Sequence, residues 1–183
     1  MRKINPLRSK GLTLIELMIT LAVAAIILAL AAPGFRTQIL NSRTLALTET
    51  VSNTLSFART EALARKGNVS VCGTTNASAC NTSDWTQGML VFVDTAVSDT
   101  AASPTVGQIL RVVDPFDDQA SIAIANGKSF VRYTGTGALA RIDNNPVSMS
   151  MHVEGCSGNR AQRLAIALSG SISISKIACP TGG

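Results

Sequence analysis

A long apolar run near the N-terminus constrains the fold of this chain more than any other feature. Residues 12–32 are 21 positions interrupted only by Thr13, Glu16 and Thr20. As a helix this segment is about 30 Å long, which matches the hydrocarbon thickness of a bilayer. Four basic residues and no acidic residue precede it. We therefore expect the N-terminus to stay cytoplasmic and the chain after residue 32 to lie outside.

Two ordinary interpretations of this run leave Glu16 unexplained. Ala29-Leu30-Ala31 before Ala32 has the small-residue spacing of a secretory cleavage site, and the run is equally long enough for a permanent single-span anchor. Neither interpretation needs a carboxylate. An acid inside an apolar membrane segment is costly and usually has a partner or a function.

The helical pattern continues beyond the apolar run. Pro33 and Gly34 are expected to kink or locally unwind the helix, because proline removes a backbone donor and clashes one turn back. The apolar positions that follow recur at spacings of three, four and seven, and they are Leu40, Leu47, Val51, Leu55, Ala58 and Ala62. The pattern predicts one helix over residues 12–66, apolar all round in its first half and amphipathic in its second, which stops at Gly67.

Short apolar segments separated by turn residues occupy the chain after Gly67. The candidate strands are NVSVCG, GMLVFVD, QILRVVD, ASIAIA, SFVRYTG, VSMSMHV, RLAIALS and SISISKI. The last two flank a tight turn at Ser169 and Gly170, and two connections, residues 73–87 and 94–106, are long. We predict an α+β fold. Its long N-terminal helix, transmembrane in the first half and amphipathic in the second, packs on a mostly antiparallel β domain.

The four cysteines, Cys72, Cys80, Cys156 and Cys179, allow three pairings. No CxxC spacing is present and His152 is the single histidine, which argues against a zinc site. An even number of cysteines beyond a membrane-directing N-terminus favours disulfides in an oxidising compartment. We favour the local pairs, Cys72 with Cys80 and Cys156 with Cys179; four unpaired buried thiols are the alternative.

Catalysis, metal binding and a broad nucleic-acid surface are not expected. His152 lies in an alternating strand pattern without a matching nucleophile motif. Asp114, Asp117 and Asp118 lack the spacing and the closing glutamate of an EF-hand, so a solvated turn is favoured. Beyond residue 11 the chain has 12 basic and 11 acidic residues. No cofactor or metal is expected.

The segment around the unexplained acid resembles a known processing signal. Residues 10–17, KGLTLIEL, are similar to the class III leader of type IV prepilins and type II secretion pseudopilins. The resemblance implies that prepilin peptidase cuts after Gly11 on the cytoplasmic side and N-methylates Leu12, where most members of the family have phenylalanine. Cleavage creates a positive amine at Leu12. In a filament, Glu16 can pair with that amine in its own or a neighbouring subunit, which relieves the burial of both charges.

Three later segments are similar to the GspH/FimT branch of pilin-like proteins, which includes FimU-type minor pilins. They are WTQGMLVFVD, GQILRVVDP and FVRYTGTG, and Trp85 in the first is expected to pack against one edge of the sheet. The resemblance implies four parts of the chain. They are a cleaved leader over 1–11, a transmembrane and assembly helix over 12–34, an amphipathic helix over 35–66 and a β-rich domain over 67–183.

The resemblance implies a structural role. A FimU-type minor pilin sits in the inner membrane with a periplasmic domain and then enters an extracellular pilus, where it helps initiate assembly in a tip complex and supports twitching motility or adhesion. The implied partners are other minor pilins, the major pilin and prepilin peptidase. A minor pseudopilin of a type II secretion system is the alternative.

A DNA-binding minor pilin for DNA uptake is an alternative of another class. Its phosphate contacts would come from the positive residues of the C-terminal stretch, Arg160, Arg163 and Lys176. So small a set binds weakly and is sensitive to salt, and nucleic acid is therefore not an expected partner.

Overall fold

The computed structural model describes residues 13–180, and for residues 30–34, 36 and 126 it describes the backbone. Gly11 and Leu12 therefore lie outside the described residues. Helix α1 spans Leu14–Arg65, in agreement with the helix predicted over residues 12–66. Eight strands follow: β1 Val69–Gly73, β2 Met89–Asp94, β3 Val106–Val113, β4 Ala120–Ile124, β5 Phe130–Tyr133, β6 Val147–Val153, β7 Ala161–Ile166 and β8 Ile172–Ile177. The predicted α+β fold, with a long helix and an antiparallel β domain, is confirmed.

The chain divides into two compact units between Gln38 and Ile39. Each side chain described from residue 13 to residue 29 is exposed. Among the residues that the structure describes, no helix is both long and apolar enough to cross a membrane. The span predicted over residues 12–34 includes positions whose side chains lie outside that description, and it stays a prediction.

The eight strands form two antiparallel sheets of four. The strand orders are β3-β2-β1-β5 and β4-β6-β7-β8. Each of the eight predicted segments overlaps one strand, and β3 and β7 begin two residues earlier than predicted. In β6, for example, buried residues at 147, 149, 151 and 153 alternate with half-buried ones, as expected where one face meets the core.

The second half of α1 and the inner faces of both sheets share one hydrophobic core. Leu47, Val51, Leu55, Ala58 and Ala62 of the predicted helical stripe are at most 5% exposed, whereas Leu40 is only half buried. Fully burying a leucine or valine stabilises a protein by roughly 1.5–3 kcal/mol. The stripe therefore fixes α1 against both sheets.

The helix ends one residue before the predicted stop. The amide of Gly67 donates to the Ala62 carbonyl at 3.2 Å, and that of Lys66 donates to the Leu63 carbonyl at 3.3 Å. This is the Schellman pattern, and the left-handed position is taken by Lys66 at φ 52° rather than by glycine. Gly135 packs its backbone directly on Lys66, since a Cβ at Gly135 would overlap the Lys66 carbonyl carbon.

Trp85 is fully buried in the main core, as predicted for a packing residue. It begins a 3-10 turn, Trp85–Gln87, that contacts both β1 and β4 and so lies between the two sheets. Asp84 caps this turn by accepting from the Thr86 amide at 3.0 Å and the Thr86 hydroxyl at 2.6 Å. These bonds, the hydroxyl first, lower the pKa of Asp84 against the opposing effect of burial.

Candidate assembly surfaces

The N-terminal turn of α1 is capped by a threonine. The amide of Glu16 donates to the Thr13 hydroxyl at 3.3 Å, and the amide of Leu17 donates to the Thr13 carbonyl at 3.2 Å. Thr13 and Glu16 have the spacing of a capping box, and a carboxylate in the first turn is favoured by the helix dipole. The local fold therefore places Glu16 in the first turn of α1.

The helix beyond this cap presents apolar side chains in all directions. Its described large apolar residues range in exposure from 50% at Val23 to 77% at Leu14. Glu16 is the only charged residue between positions 13 and 29. A helix that is hydrophobic all round is normally buried in a membrane or in a large core. The pairing of Glu16 with an amine at Leu12 stays a prediction.

The backbone of α1 remains helical through Pro33 and Gly34. We expected either a kink or local unwinding at these two residues, and the helix does not unwind there. The other expected outcome, a kink at these two residues, stays a prediction.

Two disulfides link connecting segments of the β domain. Cys72 is bonded to Cys80 across Cα atoms 5.5 Å apart, and Cys156 is bonded to Cys179 across 5.8 Å. These are the local pairs favoured from the sequence. The first connects β1 to the turn that precedes Trp85. The second ties the β6–β7 turn to the segment after β8, where the Cys179 amide also donates to the Gly158 carbonyl at 2.8 Å.

A buried ion pair organises the connection between β2 and β3, residues 95–105, which we name the β2–β3 loop. Nε of Arg132 lies 2.7 Å from Oδ2 of Asp94, and both side chains are 0% exposed. Asp94 ends β2 and Arg132 lies in β5, so β1 separates their strands in the sheet. Ser70 on β1 bridges the gap by donating its hydroxyl to Asp94 at 2.6 Å.

Both partners of this pair bind the backbone of the β2–β3 loop. Oδ1 of Asp94 accepts from the Ala96 amide at 3.0 Å and from the Thr105 amide at 2.9 Å, one at each end of the loop. The guanidinium of Arg132 donates to loop carbonyls, which belong to Asp99 at 2.8 Å, Ala101 at 2.8 Å, Ser103 at 3.1 Å and Ser98 at 3.5 Å. The loop is thus wrapped around one arginine.

The hydrogen bonds to Asp94 decide its charge state. Burial alone would raise the pKa of this carboxyl, but donation from Ser70, the Thr105 amide, Arg132 and the Ala96 amide together hold the pKa below its ordinary value. Asp94 is therefore an anion that neutralises Arg132. Tyr133, the next residue on β5, has its pKa raised by burial and partly lowered by the charge of Arg59.

The structure does not bring the candidate DNA-contacting residues together. Arg163 in β7 pairs with Ser175 in β8, whereas Lys176 pairs with Gln162. Since successive side chains point to opposite faces of a sheet, Arg163 and Lys176 lie on opposite faces. Arg160 is exposed in the turn before β7. Arg163 and Lys176 therefore do not form one patch on a single face of the sheet.

The residues that could suggest catalysis or metal binding make contacts that stabilise the fold. His152 in β6 is half buried and pairs with Ser121. Asp117 accepts from the Gln119 amide at 3.1 Å and forms an exposed ion pair with Arg43 at 3.3 Å. Within the described part of the chain, no group of three His, Cys, Asp or Glu side chains could hold a metal ion.

The sequence reasoning missed the Asp94–Arg132 pair. A signal was present, since each charge adjoins or interrupts an apolar strand, in MLVFVD and in FVRY. A charged residue in a buried strand is usually paired. Arg59 was also missed; it donates to the carbonyls of Gly137 at 2.9 Å and Ser169 at 3.2 Å, which ties α1 to two turns.

Solved structures of pilin-like proteins resemble this fold. The type IV minor pilin FimU of Pseudomonas aeruginosa has a TM-score of 0.55 at 18% identity, over 72% of this chain and 91% of that one. A second crystal form of that protein has a TM-score of 0.56 at 19% identity, over 76% of this chain and 90% of that one. The minor pseudopilin EpsH from the Type 2 Secretion System of Vibrio cholerae has a TM-score of 0.50 at 10% identity, over 73% of this chain and 97% of that one. At these identities the likeness concerns the fold. No curated protein matches the chain significantly in sequence.

Two family models match the chain, and together they cover both the helix and the β domain. The prokaryotic N-terminal methylation motif matches residues 6–32, and the type II transport protein GspH matches residues 47–171. The motif implies a membrane-anchored pilin with a periplasmic domain, which prepilin peptidase processes and which assembles with other pilins. Since the second match spans more than half of the sequence, the chain belongs to the GspH family, a pilin-like family of structural proteins.

Proposed function

We propose that this protein is a minor pilin that helps to initiate a type IV pilus and is incorporated in its tip complex. Prepilin peptidase removes residues 1–11, methylates Leu12, and leaves residues 12–34 as the anchor in the inner membrane. The β domain is then periplasmic until assembly carries it to the cell surface, where the pilus supports twitching motility or adhesion. Other minor pilins and the major pilin are its neighbours.

The observation that carries this proposal is the exposed apolar helix at the start of α1. Side chains from 13 to 29 are exposed in the isolated chain, and the one charge among them is Glu16. In a membrane these apolar side chains are covered by lipid, and in a filament they are covered by the same helix of neighbouring subunits. An exchange between those two environments suits a subunit that is stored in the membrane and then assembled.

Glu16 gives the assembly its register. A carboxylate and an amine that leave water both lose hydration, and pairing offsets that loss only where the two groups meet. Helices displaced by a turn would leave the carboxylate of Glu16 without a partner. Correct stagger is favoured for this reason, and the Thr13 cap holds Glu16 in the first turn for the contact.

A minor pseudopilin of a type II secretion system is the second candidate, and the match to the type II transport protein GspH favours it. The two roles share the processing step and the helix chemistry, but they differ in the filament that incorporates the chain. Deletion of the gene should abolish surface pili in one case and secretion of folded exoproteins in the other. Complementation with the full chain assigns the role.

The mass of the mature protein tests the processing step. We expect a chain that starts at Leu12 and carries one additional methyl group. A chain that starts at or after Ala32 would identify a cleaved secretory signal and overturn the proposal. An uncleaved chain starting at Met1 would leave only a permanent anchor.

A further inference from the structure

We propose that Asn76 is an acceptor site for an N-linked glycan, which a periplasmic transferase moves from a lipid diphosphate-linked sugar donor to the side-chain amide. The inference goes beyond the proposed function. It needs only a β domain on the periplasmic side of the membrane, which the methylation motif implies, and it applies equally to a pilus subunit and to a secretion subunit.

Three segments of the chain have the Asn-x-Ser pattern of an N-glycosylation acceptor. They begin at Asn68, Asn76 and Asn81, and in none of them is the middle residue proline. So short a pattern arises by chance, and a glycan can be added only where the pattern is accessible on the surface. The surroundings of each asparagine in the folded domain therefore decide which pattern can be used.

The pattern at Asn68 is closed by the fold. Its hydroxyl residue, Ser70, is 0% exposed in β1 and donates to Asp94 at 2.6 Å. The side-chain nitrogen of Asn68 donates to Oδ1 of Asp99 at 2.8 Å. Both groups that a transferase has to reach are thus engaged within the domain.

The pattern at Asn81 is exposed, but its side-chain amide holds the loop together. Nδ2 of Asn81 donates to the Thr75 hydroxyl at 2.8 Å, and Oδ1 accepts from the Thr75 amide at 2.9 Å. A glycan on Nδ2 would replace one of its two hydrogens and place a sugar against Thr75. Modification of Asn81 would therefore disrupt the loop.

Asn76 is fixed by its oxygen and leaves its nitrogen free. Oδ1 accepts from the amides of Ser78 and Ala79, each at 3.1 Å, which forms an Asx turn within the pattern. Within residues 13–180, no hydrogen bond uses Nδ2 of Asn76 or the hydroxyl of Ser78. Residues 75–78 are all exposed. Both groups that a transferase reads are therefore available at this one pattern.

The loop presents Asn76 at an ordered tip. The Cys72–Cys80 disulfide closes the loop, and Ala77, the middle residue of the pattern, turns the chain sharply with a φ of 57°. The hydroxyl of Thr74 accepts from the Ala77 amide at 3.0 Å. An ordered acceptor segment loses little conformational entropy when an enzyme binds it. The side chain of Asn76 is thus preorganised for transfer.

The transfer forms one bond and breaks one. Nδ2 of Asn76 attacks the anomeric carbon of the donor, and the carbon–nitrogen bond forms as the bond from that carbon to the diphosphate oxygen breaks. The lipid diphosphate leaves with the bonding electron pair, and one proton of Nδ2 passes to a base of the transferase. No oxidant or reductant takes part.

A glycan at this tip would also orient the domain in an assembly. N-linked glycans are bulky and hydrated, so a neighbouring subunit cannot pack closely against the residue that carries one. The tip of the loop around Asn76 would then face solvent in the filament.

Mass spectrometry of the full-length chain, purified from the membranes of its own host, tests the proposal. Trypsin cuts after Lys66 and Arg111, and the peptide between them contains all three patterns. Electron-transfer fragmentation of the reduced peptide identifies the modified residue. We expect a mass increase of one glycan on Asn76 and none on Asn68 or Asn81.

Matched variants separate recognition by the transferase from folding of the loop. N76Q should remove the mass increase, and N81Q should leave it on Asn76. S78A is more specific, because the backbone amide at position 78 can still donate to Asn76 while the hydroxyl is lost; we expect no glycan. S78T restores the hydroxyl and should restore the glycan.

The contradicting outcomes are distinct from failure of the proposed function. An unmodified peptide from the native host would overturn the inference, and so would a sugar found only on Asn68, on Asn81 or on a serine or threonine hydroxyl. A glycan that persists in S78A would also overturn it. Each of these results leaves the minor pilin role intact, since that role depends on the mature N-terminus and on recovery in filaments.

Discussion

Nε of Arg132 lies 2.7 Å from Oδ2 of Asp94, and neither side chain reaches solvent. The two residues are 38 positions apart in the sequence. They lie on strands separated by β1, and together they bind both ends and the middle of one loop. Among the described residues this is the only fully buried ion pair. Two of the predictions below depend on it.

Replacing Arg132 by methionine should destabilise the chain by about 3–5 kcal/mol, because the Asp94 anion would stay buried without its partner. Urea denaturation of the chain in detergent measures the change. R141M is the matched control, since Arg141 is exposed; it should shift the free energy of unfolding by less than about 0.5 kcal/mol. Equal effects of the two substitutions would mean that the ion pair has no role in stability.

Acid should weaken the domain through Asp94. Its pKa in the folded state lies below the ordinary value of 3.8, so the ionised form favours folding and contributes fully above that value. The contribution is lost as the pH falls through the folded pKa. We expect the free energy of unfolding to decline from about pH 4 downward. D94N should be less stable at neutral pH and should show a shallower decline, whereas D118N, at an exposed aspartate, should keep the wild-type slope.

Gly170 should not tolerate alanine. Its φ of +79° is unfavourable for other residues, and a Cβ would overlap the carbonyl oxygen of Gly137 in the adjacent turn. The expected cost is roughly 2 kcal/mol or more. G158A is the control: Gly158 has φ +68° and nothing within 4 Å of its Cβ position, so only the backbone cost of about 1 kcal/mol remains. A smaller effect at Gly170 than at Gly158 would disprove the close approach of the two turns.

Glu16 should affect assembly and leave insertion unchanged. E16A removes the carboxylate that is proposed to meet the Leu12 amine, and we expect about tenfold less of the chain in sheared filaments with a normal amount in the membrane. E49A, at an exposed glutamate of the same helix, is the control. Normal recovery of E16A in filaments would remove the proposed pairing.

DNA binding should be absent or weak. The full chain in detergent is expected to give no retardation of duplex DNA at about 0.15 M salt, and the double substitution R160A/R163A should change nothing. Retardation that disappears in the double variant would contradict this expectation and would support the DNA-binding alternative.

Local patterns predicted the elements of the fold well. The eight strands follow from alternation and turn residues, and Leu47 to Ala62 follow from helical spacing, because both signals arise from one face meeting the core. The strand orders were not predictable, since they depend on pairings between distant segments. For the same reason Arg132 could not be matched with Asp94. The end of α1 was missed by one residue because Lys66 adopts a conformation for which glycine is the usual choice.

The candidate site likewise has one part that the sequence predicts and one part that it does not. Gly11, Leu12 and Glu16 could be proposed from the sequence because they belong to a short contiguous motif, which the methylation-motif match over residues 6–32 contains. Their individual roles stay predictions. The β2–β3 loop was visible only as a long connection, residues 94–106. Its order depends on a guanidinium contributed by β5, and no local pattern within the loop indicates that contact.

The core contacts of α1 have a mechanical consequence. Leu47, Val51, Leu55, Ala58 and Ala62 are spread over four turns of the helix and contact both sheets. A pull directed along residues 39–65 would have to break these contacts together, in shear, whereas a sideways pull would peel them off one by one. Tension along the helix axis is therefore the direction in which this domain resists extraction best.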